Sequence, residues 1–69
     1  MRISARNQLR GTVTAIHAGA AIANVEVDVN GQRIVSSITV EAVEDLGLAE
    51  GSDVTVVIKA SDVLLATPD

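Results

Sequence analysis

The dipeptide Asn30-Gly31 constrains this chain more than any other pair of residues. On its N-terminal side Ala23, Val25, Val27 and Val29 alternate with Asn24, Glu26 and Asp28, the period of a strand with one buried face. An Asn-Gly link after such a run signals a type I′ turn, which needs positive φ at both central residues and matches the twist of paired strands. The return strand is then expected from Gln32 to about Ile38. A tight antiparallel hairpin is the unit to which the rest of the chain must attach.

Upstream of it, Leu9, Gly11, Val13 and Ala15 share one alternation phase, with Arg10, Thr12 and Thr14 on the other. This predicts a half-buried strand over residues 9–17. The stretch "HAGAA", residues 17–21, breaks the pattern before the hairpin begins. Downstream, the period changes. Val40, Val43 and Leu46 recur every three residues, Thr39 can cap, Glu41 falls in the first turn and Gly47 can close the C-terminus, so one short helix is expected. After a turn at Gly51, "DVTVVIK" supplies a β-branched run ending at Lys59, and "SDVLLAT", residues 61–67, supplies a fifth extended piece.

The order strand, strand, strand, helix, strand, strand predicts an all-β domain with one short helix, laid out as a five-stranded OB-like Greek-key barrel. A helix-capped open sheet is the competing arrangement. No linker, repeat or low-complexity segment interrupts the 69 residues, which are expected to form a single domain over residues 1–69.

A core this small is marginal, and the usual remedies are disulfides, a structural metal or oligomerisation. There is no cysteine and only one histidine, too few ligands for a zinc site. Association with further copies is the remedy that remains. Lack of cysteine also suits a cytoplasmic location. The aliphatic runs fall far short of the ~20 residues of a membrane span, so no membrane partner is expected. A formal net charge of -4 and the absence of Phe, Tyr and Trp argue against nucleic acid, whose single-stranded forms are held by basic grooves and aromatic platforms.

Residue inventory also argues against catalysis. His17 is the only histidine, no cysteine nucleophile exists, and Glu41, Glu44 and Asp45 cluster on the expected helix as a solvated face. No phosphate-loop or dinucleotide glycine pattern occurs. Two segments stand out instead: "SARNQ", residues 4–8, and "KASD", residues 59–62, each a group of small and donor-bearing residues at a strand boundary. A tetrahedral oxyanion is held by converging backbone N–H groups, hydroxyls and one or two cations. Ser4, Arg6, Lys59 and Ser61 provide such groups, and Ala5 and Ala60 allow close backbone approach. The plainer alternative is that these residues only decorate strand ends.

Three ordered stretches, "SARNQLRGTV", "ITVEAVEDLGLAEGSDV" and "VVIKASDVLLAT", resemble the Mop family of small molybdate-binding proteins, the molbindins, over nearly the whole chain. The resemblance implies an OB-like fold, a free-standing homo-oligomer built as a hexamer (a trimer of dimers), and oxyanion sites between subunits. Carried over by position, it implies that Ser4, Ala5, Arg6 and Asn7, together with Thr39 and with Lys59, Ala60 and Ser61, contact the anion. Some relatives have a serine in the first helical turn where this chain has Ala42, so a contact there would be through backbone. A second class of site is also implied, for which the turn of His17, Ala18, Gly19 and Ala20 is the candidate lining.

The function expected is reversible storage of molybdate, and of tungstate, in the cytoplasm, with no organic cofactor and no metal held by direct coordination. Lys59 is expected to be the principal side-chain cation, Arg6 to act mainly through its backbone N–H, and Arg10 to be a solvated strand residue. One alternative is a ligand-sensing interaction module that hands the oxyanion to a molybdenum-cofactor enzyme. Another is an enzyme acting on a pterin, disfavoured by the lack of aromatic residues to stack it.

Overall fold

The computed structural model describes residues 2–69. Strand β1 (Asn7–Ala18) is followed by β2 (Ile22–Val29), β3 (Gln32–Thr39), helix α1 (Val40–Asp45) and β4 (Asp53–Ile58). The four strands form one antiparallel sheet in the order β3-β2-β1-β4. The β2–β3 hairpin turns at Asn30 (φ 50°) and Gly31 (φ 84°), the positive pair that a type I′ turn demands. Its register runs unbroken from Val29↔Gln32 to Ile22↔Thr39.

β1 is longer than its two partners and serves them in succession. Its second half pairs with β2, from Thr12↔Asp28 to Ala18↔Ala23, with a bulge between Val13 and Ala15. Its first half pairs with β4, from Thr12↔Asp53 back to Asn7↔Ile58. Thr12 is thus the residue at which β1 changes neighbour, and the sheet must bend there. Gly11, beside it, explains how this is possible. A Cβ at Gly11 would lie 2.6 Å from Val27 Cγ1 and 2.7 Å from the Asp28 carbonyl oxygen, so only a residue without a side chain lets β1 cross β2 so closely.

Val13, Ala23, Val25, Val27 and Val29 are buried on the inner face, and Ile16, Ile34, Ile38, Val43, Val54 and Val56 pack against the valine cluster. Alternation puts Asn24, Glu26 and Asp28 on the outer face. Helix α1 starts where expected. The Thr39 hydroxyl accepts from the Ala42 N–H at 3.0 Å, and Val40 N–H donates to Ala21 O at 2.8 Å, joining the helix start to the β1–β2 turn. At the other end Gly47 N–H donates to Glu44 O and Leu48 N–H to Val43 O, both at 3.0 Å, the paired bonds of a Schellman cap.

The expected fifth strand is absent among the described residues. Ala60–Asp62 forms a single 3₁₀ turn, and from Val63 onward the chain joins no ladder. The physical reason is the lack of a partner within the chain: the turn carries the tail off the end of β4, leaving Leu64 and Leu65 91% and 94% exposed. The sheet is accordingly open, with β3 and β4 as its edges. Between them lies a hollow of about 200 Å³ lined by Val25, Ile38, Leu46, Val54 and Val56 among others.

Candidate functional site

The β1–β4 ladder decides where the donor-bearing segments lie. Its last pair is Asn7↔Ile58, so the residues just before β1 and just after β4 leave the sheet side by side. Ser4, Ala5 and Arg6 therefore neighbour Lys59, Ala60 and Ser61 at one end of the sheet, although more than fifty positions separate the segments in sequence. Ala5 and Asn7 are half-buried, while Ser4, Arg6, Lys59, Ala60 and Ser61 are exposed.

Two side-chain amides stitch this end together. Asn7 Nδ2 donates to Ile58 O at 3.2 Å, and Gln8 Nε2 donates to Ala5 O at 3.3 Å. Beyond β4, the turn closes with Asp62 N–H to Lys59 O at 2.9 Å and Val63 N–H to Ala60 O at 3.3 Å. Among the described residues the N–H groups of Ala60 and Ser61 have no backbone acceptor, and the Lys59 ammonium has no carboxylate within ion-pair distance. One end of the sheet thus presents two backbone donors, two serine hydroxyls and the Arg6 and Lys59 cations, beside the exposed Asp62 carboxylate of the same turn. Such a set suits an anion that needs donors only.

Thr39 lies elsewhere. It closes β3 opposite Ile22, beside the far end of β1, eleven residues along that strand from Asn7. Its neighbours are the β1–β2 turn and α1. Its hydroxyl oxygen is occupied by the helix cap, but the hydroxyl proton is free to donate outward. Capping also consumes the Ala42 N–H, the backbone group through which a contact at that position was expected. One chain therefore brings together Ser4–Asn7 and Lys59–Ser61, and does not bring Thr39 to them.

The candidate second lining divides as well. His17 and Ala18 belong to β1, while Gly19 and Ala20 form the turn, closed by Gly19 N–H to Ile22 O at 2.8 Å. His17 faces the outer surface, where its Nε2 meets Glu26 Oε2 at 2.6 Å. Arg33 Nε donates to the other oxygen of Glu26 at 2.5 Å. The hydrogen bond from Arg33, then that from His17, hold the Glu26 carboxyl below its ordinary range. In return the carboxylate pushes the Arg33 guanidinium higher.

This three-strand ion cluster was not foreseen from sequence. Its signal lies in the hairpin register, where Glu26 and Arg33 are diagonal neighbours on the outer face once Asp28 opposes Arg33. The Asn7 contact also had a signal. Residues 7, 9, 11 and 13 share the inward phase of β1, and Asn7 is the polar member of that series.

Comparison with known proteins places this geometry in context. A family model for the TOBE domain matches residues 3–65. Molybdenum-pterin-binding protein 3 of Clostridium pasteurianum is 44% identical over 66 residues, covering 94% of this chain and 97% of that protein. A molybdate-binding protein from Sporomusa ovata superposes with a TM-score of 0.93 at 37% identity, covering 97% of this chain and all of the other. The cytoplasmic molybdate-binding protein ModG, in a form with molybdate bound, is 48% identical with a TM-score of 0.92. It matches 99% of this chain, which spans 49% of the ModG chain.

Proposed function

The chain belongs to the TOBE-domain family, alongside the small molybdenum-pterin-binding (Mop) proteins, and from that premise we propose that it captures molybdate, and with it tungstate, reversibly at contacts between its own copies. The observation that carries this reading is the Asn7↔Ile58 pairing. It starts Ser4, Ala5 and Arg6 and Lys59, Ala60 and Ser61 from the same end of the sheet, while Thr39 lies toward the opposite end of β1. A pocket that includes Thr39 then needs a second copy to supply it.

The chemistry of the donor set supports an oxyanion that carries no proton at neutral pH. Molybdate is a full dianion there and asks only for donors, whereas partly protonated phosphate asks for an acceptor as well. Sulfate shares the charge and shape of molybdate but is smaller, so cavity size discriminates between them. The formal net charge of -4 opposes anion uptake only weakly at a distance, because the screening length in physiological salt is about 8 Å. Local donors dominate. No bond to the metal centre forms or breaks, and the protein acts as a cytoplasmic store. No aromatic side chain is present to stack a pterin ring, which favours the free oxyanion as ligand.

Assembly supplies what the isolated chain lacks. The exposed Val63–Ala66 run and the open hollow between β3 and β4 are both apolar, and burying them against a second copy completes the five-stranded barrel. A hexamer arranged as a trimer of dimers is the assembly we infer.

Calorimetric titration with molybdate, tungstate, sulfate and phosphate, with mass measured by sedimentation in parallel, tests this reading. Binding heat is expected for molybdate and tungstate, from a multimer. Absence of heat with molybdate at micromolar protein refutes storage, and binding by a monomer refutes the shared pocket.

A further inference from the structure

We propose that Asn7 and Gln8 are positioning residues whose side-chain amides engage the backbone carbonyls of Ile58 and Ala5, fixing Lys59 and the Ser4–Arg6 segment. The proposal rests on the oxyanion reading above and adds the part of the chain that shapes the site without being its principal ligand.

Asn7 is at an unexpected place for a polar side chain. It lies on the inward phase of β1 with Leu9, Gly11 and Val13, directly opposite Ile58, and is half-buried. A leucine there would continue the apolar face. The amide instead reaches across to Ile58 O, a contact spanning 51 positions of sequence. Ile58 is the last residue of β4, and Lys59 follows it. Ladder pairing also stops at this pair. Beyond it no ladder dictates where the chain goes, so the Asn7 bond is the last contact from the sheet that bears on the direction in which Lys59 departs.

Gln8 acts in the same way on the other segment. It faces outward and donates to Ala5 O, curling residues 5–8 back onto the start of β1. The shared feature is the acceptor. Ile58 O and Ala5 O each belong to a residue adjoining the donors meant for the anion. An amide N–H on each oxygen takes up one of its two lone pairs and ties that residue to the start of β1. Adjacent amides at positions 7 and 8, one inward and one outward, can reach both carbonyls because strand alternation sends them to opposite faces. Asn7 is the stronger member, since its bond is partly shielded from water and that of Gln8 is exposed.

The test combines affinity, coupling and stability. Wild type, Asn7→Leu, Lys59→Ala and the double variant are titrated with sodium molybdate and melted in parallel, with Asn7→Ala as a second variant. Asn7→Leu is expected to melt no lower than wild type, because leucine extends the apolar face, and yet to bind molybdate about tenfold more weakly. Acting through Lys59, the substitution adds less than about twofold once Lys59→Ala is already present, whereas independent contacts have additive effects. Gln8→Leu is expected to give a smaller loss than Asn7→Leu.

Full additivity in the double variant makes Asn7 a direct contact and overturns the proposal, as does unchanged affinity in Asn7→Leu and Asn7→Ala. A ligand-free readout separates this idea from the oxyanion reading. Amide hydrogen exchange at Asp62 and Val63, whose N–H groups close the turn onto Lys59 O and Ala60 O, is expected to accelerate in Asn7→Leu while β2 and β3 keep their protection. If wild type fails to bind molybdate, the storage reading falls and the exchange result still decides the clamp. Unaltered exchange at Asp62 and Val63 overturns it.

Discussion

Replacing Gly11 by alanine sets two opposing effects against each other, and the structure says which wins. Alanine restricts the unfolded chain more than glycine, which by itself favours the variant by about 0.4–1 kcal/mol where the native backbone suits both residues. Against this, the added methyl would lie 2.6 Å from Val27 Cγ1, 2.7 Å from Asp28 O and 3.0 Å from Val29 Cγ2. The first two distances are too short for atoms to share. Val27 is buried and cannot swing away, and Asp28 O belongs to the β2 backbone at the point where β1 crosses it. Overpacking of a filled site costs about 1–3 kcal/mol, and a collision with backbone puts Gly11→Ala in the upper part of that range. The net loss is about 1–2 kcal/mol. For a domain of this size each kcal/mol shifts the midpoint by about 4–8 °C, so the melting temperature should fall by roughly 5–15 °C. Far-UV circular dichroism at a fixed protein concentration measures it, since the midpoint of an oligomer depends on concentration. An unchanged or raised midpoint refutes the claim that β1 changes partner by close backbone approach at Gly11.

Three further outcomes are expected. Thr39→Ala removes the acceptor for Ala42 N–H and should cost about 1 kcal/mol, whereas Thr39→Ser should melt like wild type; equal melts for the two variants contradict the cap. Glu26 has a lowered folded-state pKa, so its contribution is present above the usual glutamate value of 4.5 and is lost as pH falls through the lowered value. Thermal midpoints of wild type should therefore drop more steeply than those of Glu26→Gln as pH falls below 4.5, and parallel curves speak against the ion cluster. Leu64→Ser with Leu65→Ser removes the most exposed aliphatic side chains, and sedimentation should report smaller species than wild type; an unaltered mass removes the tail from the assembly contact.

The hairpin, the helix and β4 were legible in the sequence because each is set by local chemistry. Asn30-Gly31 forces its turn, Thr39 and Gly47 bracket a three-residue period, and Val54 to Ile58 is a β-branched run. β1 was legible in its middle and not at its ends. Its extension back to Asn7 depends on pairing with a strand more than forty residues away, and its bulge near Thr14 depends on the bend of the whole sheet, neither of which alternation encodes. The tail shows the complementary failure. Val63 to Ala66 has the composition of a strand, but strand pairing needs an edge to pair with, and the turn at Ala60–Asp62 carries the run away from every edge within the chain.

The candidate site followed the same division. Small residues and donors in "SARNQ" and "KASD" marked both segments, and their adjacency emerged only from the Asn7↔Ile58 register. Thr39 was legible as a cap, and its distance from the other residues required the topology. The His17, Glu26 and Arg33 cluster required both the hairpin register and the outward phase of β1. Each diagonal contact follows from one strand pair, and the cluster joins two of them, β1 with β2 and β2 with β3.

The central claim is that the half-pocket formed by the two chain segments holds the oxyanion and that Lys59 supplies its side-chain charge. Molybdate titration of Lys59→Ala beside Arg10→Ala tests it most directly, since the two substitutions remove one positive charge each and differ in place. Arg10 lies on the outward phase of β1, opposite Thr55, away from the segment ends. Lys59→Ala should weaken binding by at least about tenfold, the scale of a lost charge-assisted hydrogen bond, and Arg10→Ala should leave affinity near that of wild type. Equal affinities for the two variants would contradict the account.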